Sequence, residues 1–401
     1  MPRLWDKGAP LDARVLAFTA GEDHALDERL VAYDVRASIA HAETLAAAGI
    51  LSSAELASLT AALSDIGAAH ARGEWRIALE LEDGQTALES RLTERLGDLG
   101  GKIHAGRSRN DQVLVALRLY LKDAIAVLTQ AALGLAGALD ALAQSQGRIA
   151  LPGYTHMQQA MPSSVALWAG GYAAELRDDA AGLQGAGRRL DFSPLGSAAG
   201  YGTPGLALDR NRTAQRLGFA AAQEPVTAVQ LSRGKAEAGV VFEIALLMTG
   251  LGRLATDLLL FASQEFGFVA LPDAFTTGSS IMPHKRNPDI LELVRGRSVT
   301  VQACLAEILG LTAKLPSGYQ RDLQLIKAPL FRAIDLCGQT LELLPAAIAG
   351  LKFRPENIHL DPAIHSAEEA YALVIREGIP FREAYARVAA RLARGEVEQK
   401  R

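Results

Sequence analysis

The sequence has little cysteine, few aromatic residues and no large excess of charge of either sign. Among its 401 residues are two cysteines and 5% aromatic residues, and 41 Lys+Arg against 45 Asp+Glu give a net charge of −4. Because Cys304 and Cys337 have no CxxC or Cys/His spacing, we expect two buried thiols in a reducing compartment. The near-neutral charge excludes a basic chain that coats nucleic acid.

A long apolar run free of charge is also missing. The most apolar stretch, residues 238–260, contains Glu243, Arg253 and Asp257, so we do not expect it to span a membrane. Acidic residues occur too early in the chain for a basic and then apolar export signal. The sequence therefore predicts a cytoplasmic protein that binds neither membrane nor nucleic acid.

Alanine and leucine are abundant, and their spacing predicts long helices. From Asp111 to Gln144, leucines recur in steps of three, four and seven residues, which places them on one face of a long helix. Similar patterns cover four further segments, Ser163–Leu190, Val229–Phe266, Pro288–Ala313 and Leu323–Leu351. We therefore predict an all-α fold with a central bundle of five long helices packed at shallow angles. No window alternates between apolar and polar residues for long enough to support a sheet.

The bundle divides the chain into three predicted domains. These are an N-terminal helical domain at 1–105, the bundle at 106–351 and a small C-terminal helical domain at 352–401. Gly100-Gly101 is interpreted as the turn into the bundle, and residues 353–357 as a linker after it. Small residues on several faces of the long helices favour a homo-oligomer whose neighbouring chains cover them. The alternative is that one chain buries them all.

Four polar connectors between helices have no obvious packing purpose. The first, residues 104–112, places Arg107, Arg109 and Asn110 at the start of the longest helix. Two guanidinium groups and the N–H groups of a helix start form a site suited to an anion. Capping by Asn110 or Asp111 is the alternative, but capping alone does not require two arginines.

The second connector, residues 152–159, is interpreted as a Gly-Tyr turn that presents Thr155, His156 and Gln158. A histidine in such a loop is either a structural residue or an acid or base.

The fourth connector, residues 316–327, places Tyr319 before a helix and Gln324 and Lys327 on one helical face. On its own this last pattern is a weak signal.

The third connector, residues 276–289, is the most informative. Gly278 permits a hinge, and Ser279 follows it at a mobile tip. Lys285 and Asn287 stand just ahead of a helix that Pro288 is expected to begin as its first-turn proline. A cation, an amide and a positive helix end thus meet where negative charge could develop. The alternative is a basic surface loop.

Together the connectors supply cations, amides, a serine and histidines, but no motif for a metal or a nucleotide. No histidine spacing suits a metal and no GxGxxG follows a strand, so we expect neither metal nor cofactor. The set suits removal of a proton from a carbon next to a carboxylate, because the cations and N–H groups can stabilise the developing charge. The base would be a serine oxyanion, which needs positive local potential.

Two of these motifs resemble those of a known family. Gly278–Pro288, GSSIMPHKRNP, resembles the signature loop of the fumarase/aspartase superfamily, and Gly106–Gln112, GRSRNDQ, resembles its argininosuccinate lyase version. The second and fourth connectors are also similar to that family, and the resemblance covers about residues 15 to 390. It implies a homotetramer that cleaves argininosuccinate reversibly to arginine and fumarate, with each site built from three chains.

The resemblance also implies roles for individual residues. Ser279 matches the serine that takes the Cβ proton and His156 the residue of the opposite role, although which is acid and which base stays open. Lys285 and Asn287 match a pair that stabilises a carboxylate, supported by Glu292. The implied substrate-binding residues, with Gln158 added from the second connector, are Arg109, Asn110, Thr155, Gln158, Tyr319, Gln324 and Lys327.

The sequence departs from the family pattern at Gln85. The family usually has a histidine at this place after Glu82-Asp83-Gly84, and glutamine cannot carry a proton or a charge at neutral pH. Ala105 likewise replaces a usual threonine. Three alternatives therefore stay open: an active argininosuccinate lyase, a structural crystallin-like relative, and a sister lyase acting on another succinyl compound.

Overall fold

The structure is a computed structural model that describes residues 12–395. It is dominated by helices: α1 Ala13–Ala20, α2 Asp23–Leu26, α3 Val31–Ala47, α4 Ser53–Ala71, α5 Gly84–Leu96, α6 Asp98–Lys102, α7 Arg109–Gln146, α8 Val165–Ala186, α9 Arg210–Arg216, α10 Ala228–Leu231, α11 Lys235–Ala262, α12 Asp289–Thr312, α13 Lys327–Ala349, α14 Ser366–Glu377 and α15 Phe381–Ala393. The all-α prediction is confirmed, and α7, α8, α11, α12 and α13 are the five long helices predicted from leucine spacing.

Three two-stranded sheets accompany the helices, so the prediction that no sheet forms is wrong. They pair β1 Ala150–Thr155 with β2 Gln158–Ser164, β3 Phe192–Ser193 with β4 Ala221–Ala222, and β5 Val269–Ala270 with β6 Lys352–Phe353. The β1–β2 pair is an antiparallel hairpin and β3–β4 is parallel. Short strands of this kind are held by main-chain hydrogen bonds, which leave no alternating pattern in the sequence.

The described chain packs as two compact units, to each of which every long helix contributes one part. The first comprises residues 12–129, 181–245 and 300–337, and the second 130–180, 246–299 and 338–395. These units group the chain by packing and not by order along it, so the three sequence domains stay a prediction. The terminal parts of those domains, residues 1–11 and 396–401, lie outside the described residues.

In the first unit, α3, α4 and α5 enclose an apolar core. Its fully buried side chains include Leu45, Leu59 and Leu63. Ser52 begins α4 with a reciprocal pair of hydrogen bonds, since its hydroxyl accepts from the N–H of Glu55 and the Glu55 carboxylate accepts from its N–H. This arrangement satisfies two N–H groups that a helix start otherwise leaves without partners.

Gly100 and Gly101 lie inside α6, so their interpretation as the exit turn is wrong. A Cβ at Gly100 would stand 2.7 Å from the carbonyl oxygen of Leu92. A glycine is therefore required because α6 approaches the backbone of α5 closely, and not because the chain turns there.

In the second unit, aromatic side chains pack between α8, α11 and β6. The ring centroid of Trp168 lies 5.7 Å from that of Phe261 and 5.8 Å from that of Phe353. Residues 353–357 are not the predicted linker, because β6 pairs with β5 and the N–H of Arg354 donates to the Phe268 carbonyl at 2.8 Å. The pairing of β5 with β6 uses main-chain groups, so no side-chain pattern in the sequence predicts it.

Two helical stretches, Arg109–Gln146 and Ala228–Ala262, are long and apolar enough to cross a membrane by composition alone. In the most apolar 18-residue stretch of each, 44% and 56% of the residues are buried inside the protein. Cys304 and Cys337, on α12 and α13, are buried free thiols, as predicted. Half-buried helices of this kind also form the cores of globular proteins.

Candidate active site

A cavity of about 260 Å³ lies in the first unit, where the starts of α5 and α7 meet the segment before α13. It is lined by Asp23, Glu82, Asp83, Arg109, Asn110, Val113, Arg233, Tyr319, Arg321, Gln324 and Lys327. Five of the residues implied as substrate contacts are thus brought together, namely Arg109, Asn110, Tyr319, Gln324 and Lys327.

The start of α7 is fixed by Asp111, and this leaves Asn110 on the cavity wall. One oxygen of the Asp111 carboxylate accepts from the N–H of Ser108 at 2.9 Å, and the other accepts from the N–H groups of Gly196 and Ala198. Burial raises the pKa of Asp111 to about 6, although these hydrogen bonds oppose the shift. The capping interpretation therefore holds for Asp111, while Asn110 lines the cavity and its contact with a ligand stays a prediction.

Arg109 reaches the cavity within a set of polar groups. Its Nη2 donates to the Thr86 hydroxyl at 2.9 Å, and its Nη1 donates to the Gln112 side-chain carbonyl at 3.1 Å. Its guanidinium lies 3.4 Å from the Asp83 carboxylate and 3.7 Å from that of Glu89. These contacts orient the guanidinium and offset part of its charge.

Arg107, the other arginine of the first connector, does not line the cavity. It is 7% exposed and donates to the Ser38 hydroxyl at 2.9 Å, so the expectation that it contacts a ligand is wrong. Burial lowers its pKa to about 10. Arg107 precedes α7 whereas Arg109 is its first residue, so the helix does not hold the two side chains on one face.

Lys327 is buried in a cluster of carboxyl groups that the sequence interpretation missed. Its Nζ donates to Asp27 Oδ1 at 2.6 Å and lies 2.9 Å from Asp23 Oδ1. Burial opposes the shift, but the two carboxylates raise the pKa of Lys327 above its ordinary value. Asp23, Asp27 and Asp34 lie on α2, on the short 3₁₀ turn after it and on α3, so no single helical face marks them in the sequence.

Gln85, the departure from the family pattern, lies behind Lys327. Its side-chain amide donates to Asp34 Oδ1 at 2.5 Å, and both residues are 2% exposed. The preceding N–H, that of Gly84, donates to Asp27 Oδ2 at 3.1 Å. Burial, and next the charge of Asp27, raise the pKa of Asp34 well above its ordinary value.

Gln324 and Tyr319 complete the opposite wall. The Gln324 amide donates to the carbonyl oxygens of Thr19 and Ala20 at 2.9 and 3.3 Å, so the C-terminal end of α1 fixes this side chain. The guanidinium carbon of Arg233 lies 5.3 Å from the centroid of the Tyr319 ring. Burial lowers the pKa of Arg233.

In the second unit, Thr155, His156 and Gln158 form the exposed tip of the β1–β2 hairpin. The turn is at His156 and Met157, which both have positive φ, and not at Gly153-Tyr154 as the sequence suggested. Positive φ at both central residues is the geometry of a two-residue hairpin turn that follows the twist of its strands. Gln159 anchors the hairpin, because its amide donates to the His359 carbonyl at 2.9 Å.

The third connector is an exposed loop with a closed base. Thr277 and Asn287 exchange main-chain hydrogen bonds of 3.0 and 2.8 Å, and the Asn287 amide donates to the Gly278 carbonyl at 3.2 Å. The Ser279 hydroxyl oxygen accepts from the N–H groups of Ile281 and Met282 at 3.4 and 3.2 Å. Ser279 therefore occupies a turn held by hydrogen bonds.

Lys285 is exposed on this loop, and Glu292 is exposed on the first turn of α12. The helix begins at Asp289, one residue after Pro288, whose carbonyl accepts from the N–H of Leu291 at 2.9 Å. Pro288 is thus the capping residue and not the first-turn residue that was expected. Proline fits both the capping position and the first helical position, because its ring restricts the residue before it to an extended conformation.

The site residues therefore fall into three groups: one cavity in the first unit, and the hairpin tip and the loop in the second. Their catalytic and binding roles stay predictions. Among residues 12–395, no group of three or more His, Cys, Asp and Glu side chains is arranged to hold a metal ion.

Comparison with known proteins identifies the family. A family model described as lyase matches residues 9–303. The argininosuccinate lyase of Sorangium cellulosum (strain So ce56) is 47% identical over 393 residues, which are 98% of this chain and 91% of the relative. That of Stenotrophomonas maltophilia (strain K279a) is 44% identical over 390 residues, covering 96% and 90%.

Solved structures share the fold. EDDS lyase in complex with formate is 26% identical, has a TM-score of 0.81, and is matched over 96% of this chain and 78% of that one. A class II fumarase from Schistosoma mansoni, 19% identical, has a TM-score of 0.79 over 97% and 91%, which shows a common fold. These matches confirm the resemblance found in the connectors, and the chain belongs to the argininosuccinate lyase family of the fumarase/aspartase superfamily.

Proposed function

We propose that the protein cleaves argininosuccinate reversibly to L-arginine and fumarate. The observation that carries the proposal is the cavity of the first unit. It gathers Arg109, Asn110, Tyr319, Gln324 and Lys327 from separate segments, in a chain that is 47% identical to an argininosuccinate lyase over 98% of its length. A place in arginine biosynthesis follows from these products.

The mixed charge of the cavity favours this substrate over a purely anionic succinyl compound. Its wall carries the cations of Arg109, Arg233, Arg321 and Lys327, together with the carboxyl groups of Asp23, Glu82 and Asp83. Argininosuccinate has carboxylates as well as a guanidinium and an ammonium group, so both signs of charge find partners. A cationic group of the substrate can therefore exchange with the ion pairs that these carboxyl groups already form within the wall.

In the proposed reaction, Ser279 removes a proton from the carbon next to a succinyl carboxylate. The carbon–nitrogen bond then breaks, the double bond of fumarate forms, and a proton passes to the departing guanidine nitrogen. The two N–H groups directed at the Ser279 oxygen support this assignment, because they stabilise an oxyanion there.

The other polar residues of the second unit take the remaining roles. His156 is assigned the proton delivered to the leaving nitrogen. Lys285 and Asn287 stabilise the charge that develops on the carboxylate, with Glu292 as a supporting carboxylate. Thr155 and Gln158, beside His156 on the hairpin tip, bind substrate. No metal or cofactor takes part in this scheme.

We also infer a homotetramer in the cytoplasm whose sites are shared between chains. Large apolar side chains are exposed on the long helices, including Val127 at 67%, Leu167 at 69%, Leu293 at 60% and Val299 at 64%. Large apolar side chains exposed on helices are the kind of surface that another copy covers in an oligomer. Light scattering on the purified protein should give four times the 42.5 kDa chain mass; a monomer would contradict a shared site.

The reaction is tested by mixing the purified protein with argininosuccinate and following the ultraviolet absorbance of fumarate. We expect the absorbance to rise in proportion to enzyme concentration. A folded tetramer that releases no fumarate would instead support the structural, crystallin-like alternative. Release from another succinyl compound alone would support a sister lyase.

A further inference from the structure

The cluster around Lys327 contains more buried carboxyl groups than cations. Lys327 is 1% exposed, and Asp27 and Asp34 are each 2% exposed. If Asp23 were ionised with these two, three carboxylates would surround Lys327, the cation that Asp23 and Asp27 contact directly at 2.9 and 2.6 Å. Buried charge without compensation is strongly unfavourable, so at least one of the carboxyl groups holds a proton.

Asp34 is best placed to hold that proton. Among residues 12–395 it forms no ion pair, and its side-chain hydrogen bond is to the neutral amide of Gln85. A Cβ at Gly84 would lie 3.1 Å from Asp34 Oδ2 and 3.3 Å from the Cβ of Asp27, so these two side chains converge on the same backbone position. The other charged groups around them are Lys327 and the side chains of Asp23, Asp83 and Arg107.

We propose that Gln85 and Asp34 are positioning residues for Lys327. The Gln85 amide fixes the orientation of Asp34, which in turn packs beside Asp27. Asp27 and Asp23 then hold the Lys327 ammonium group at the cavity wall, where it binds a substrate carboxylate. This last step rests on the proposed function.

The chemistry explains why a glutamine serves at this position. Its amide donates a hydrogen bond at every pH and adds no charge to a cluster that already contains four charged or titrating groups. An imidazole can donate the same bond, whereas a hydrocarbon side chain cannot. The property of residue 85 that orients Asp34 is therefore its hydrogen-bond donor, and not the charge that a histidine would bring.

Kinetics of matched variants test the proposal. Gln85→Leu and Gln85→Met remove the amide N–H that donates to Asp34, and Met also preserves the length of the side chain. For both we expect KM to rise about tenfold while kcat changes by less than about threefold. Gln85→His should keep KM within about threefold of wild type. The control Thr44→Val also removes buried hydrogen bonds of the first unit, to the Ala40 carbonyl and the Thr213 hydroxyl, away from the cavity lining, and should leave KM unchanged.

A second measurement needs no turnover. Trace acetylation by acetic anhydride, quantified by mass spectrometry of the peptide that contains Lys327, reports how firmly its ammonium group is held. We expect faster labelling in Gln85→Leu and Gln85→Met than in wild type, and wild-type rates in Gln85→His and Thr44→Val. The melting curve of each variant establishes that it is folded.

The outcomes are distinguishable. Unchanged KM and unchanged labelling in a folded Gln85→Leu or Gln85→Met protein would overturn the positioning role. If labelling responds as expected but wild type releases no fumarate from argininosuccinate, the positioning role stands and the proposed function fails.

Discussion

Ser279 carries the chemistry of the proposed reaction, and its neighbour Ser280 offers a matched control. Two main-chain N–H groups are directed at the Ser279 oxygen, whereas Ser280 is exposed on the same loop. We expect Ser279→Ala to lower kcat about 10³-fold and to leave substrate binding intact, because only the proton transfer is lost. Ser280→Ala should keep most of the activity. Calorimetric titration and fumarate release measure the two effects; turnover by Ser279→Ala near the wild-type rate would exclude it as the base.

At the same scale, polar residues were predictable where they stand in a connector, and not where they stand in a core helix. Arg109 was singled out because capping a helix start does not require an arginine, and Asn110 and Lys327 were singled out by the family resemblance of their connectors. Asp27 and Asp34 lie within predicted amphipathic helices, where an acidic side chain is normally predicted to be exposed to solvent. Their burial depends on how distant segments pack, which the sequence around them does not show.

Helices were predictable at the scale of elements because a long apolar stripe must be buried whatever it packs against. The start of α7 at Arg109 and its end at Gln146 lie within two residues of the predicted stretch. The β1–β2 hairpin was not predicted, since its strands contain Pro152, Gly153 and Pro162 and do not alternate. Its hydrogen bonds join main-chain groups, and such pairing is independent of side-chain pattern.

The contact between α5 and α6 gives a prediction at this scale. Gly100→Ala places a Cβ 2.7 Å from the Leu92 carbonyl oxygen, so it should lower the free energy of unfolding by about 1–3 kcal/mol. At Gly101 nothing lies within 4 Å of the corresponding Cβ, and Gly101→Ala should be neutral or stabilising by about 0.5–1 kcal/mol. Melting curves measure both. Equal effects of the two substitutions would show that α6 does not pack as described.

For the molecule as a whole, the net charge of −4 conceals a site where charges of both signs are concentrated. Composition averages over positions, so it cannot detect three carboxyl groups around one lysine. The family, by contrast, could be predicted from two connector motifs, because these combine several polar residues that packing alone does not require.

The buried carboxyl cluster gives a prediction for stability and pH. Burial raises the pKa of Asp34 well above its ordinary value and that of Asp23 to about 7. The folded chain therefore keeps protons that the unfolded chain loses near pH 4, and this contribution to stability declines as the pH rises. Asparagine at position 34 needs no proton, so the melting temperature of Asp34→Asn relative to wild type should be higher at pH 8 than at pH 5. A difference independent of pH would contradict a protonated Asp34.

The most direct test of the account is a competition between two substrates for the purified, assembled protein. Argininosuccinate and a succinyl compound without a guanidinium group are supplied together, and arginine and fumarate are quantified by NMR spectroscopy. We predict that arginine and fumarate appear in equal amounts and that the second compound is left unchanged, because the chain belongs to the argininosuccinate lyase family and its cavity wall carries charges of both signs. Fumarate formed without arginine, or no fumarate from a folded tetramer, would contradict the account.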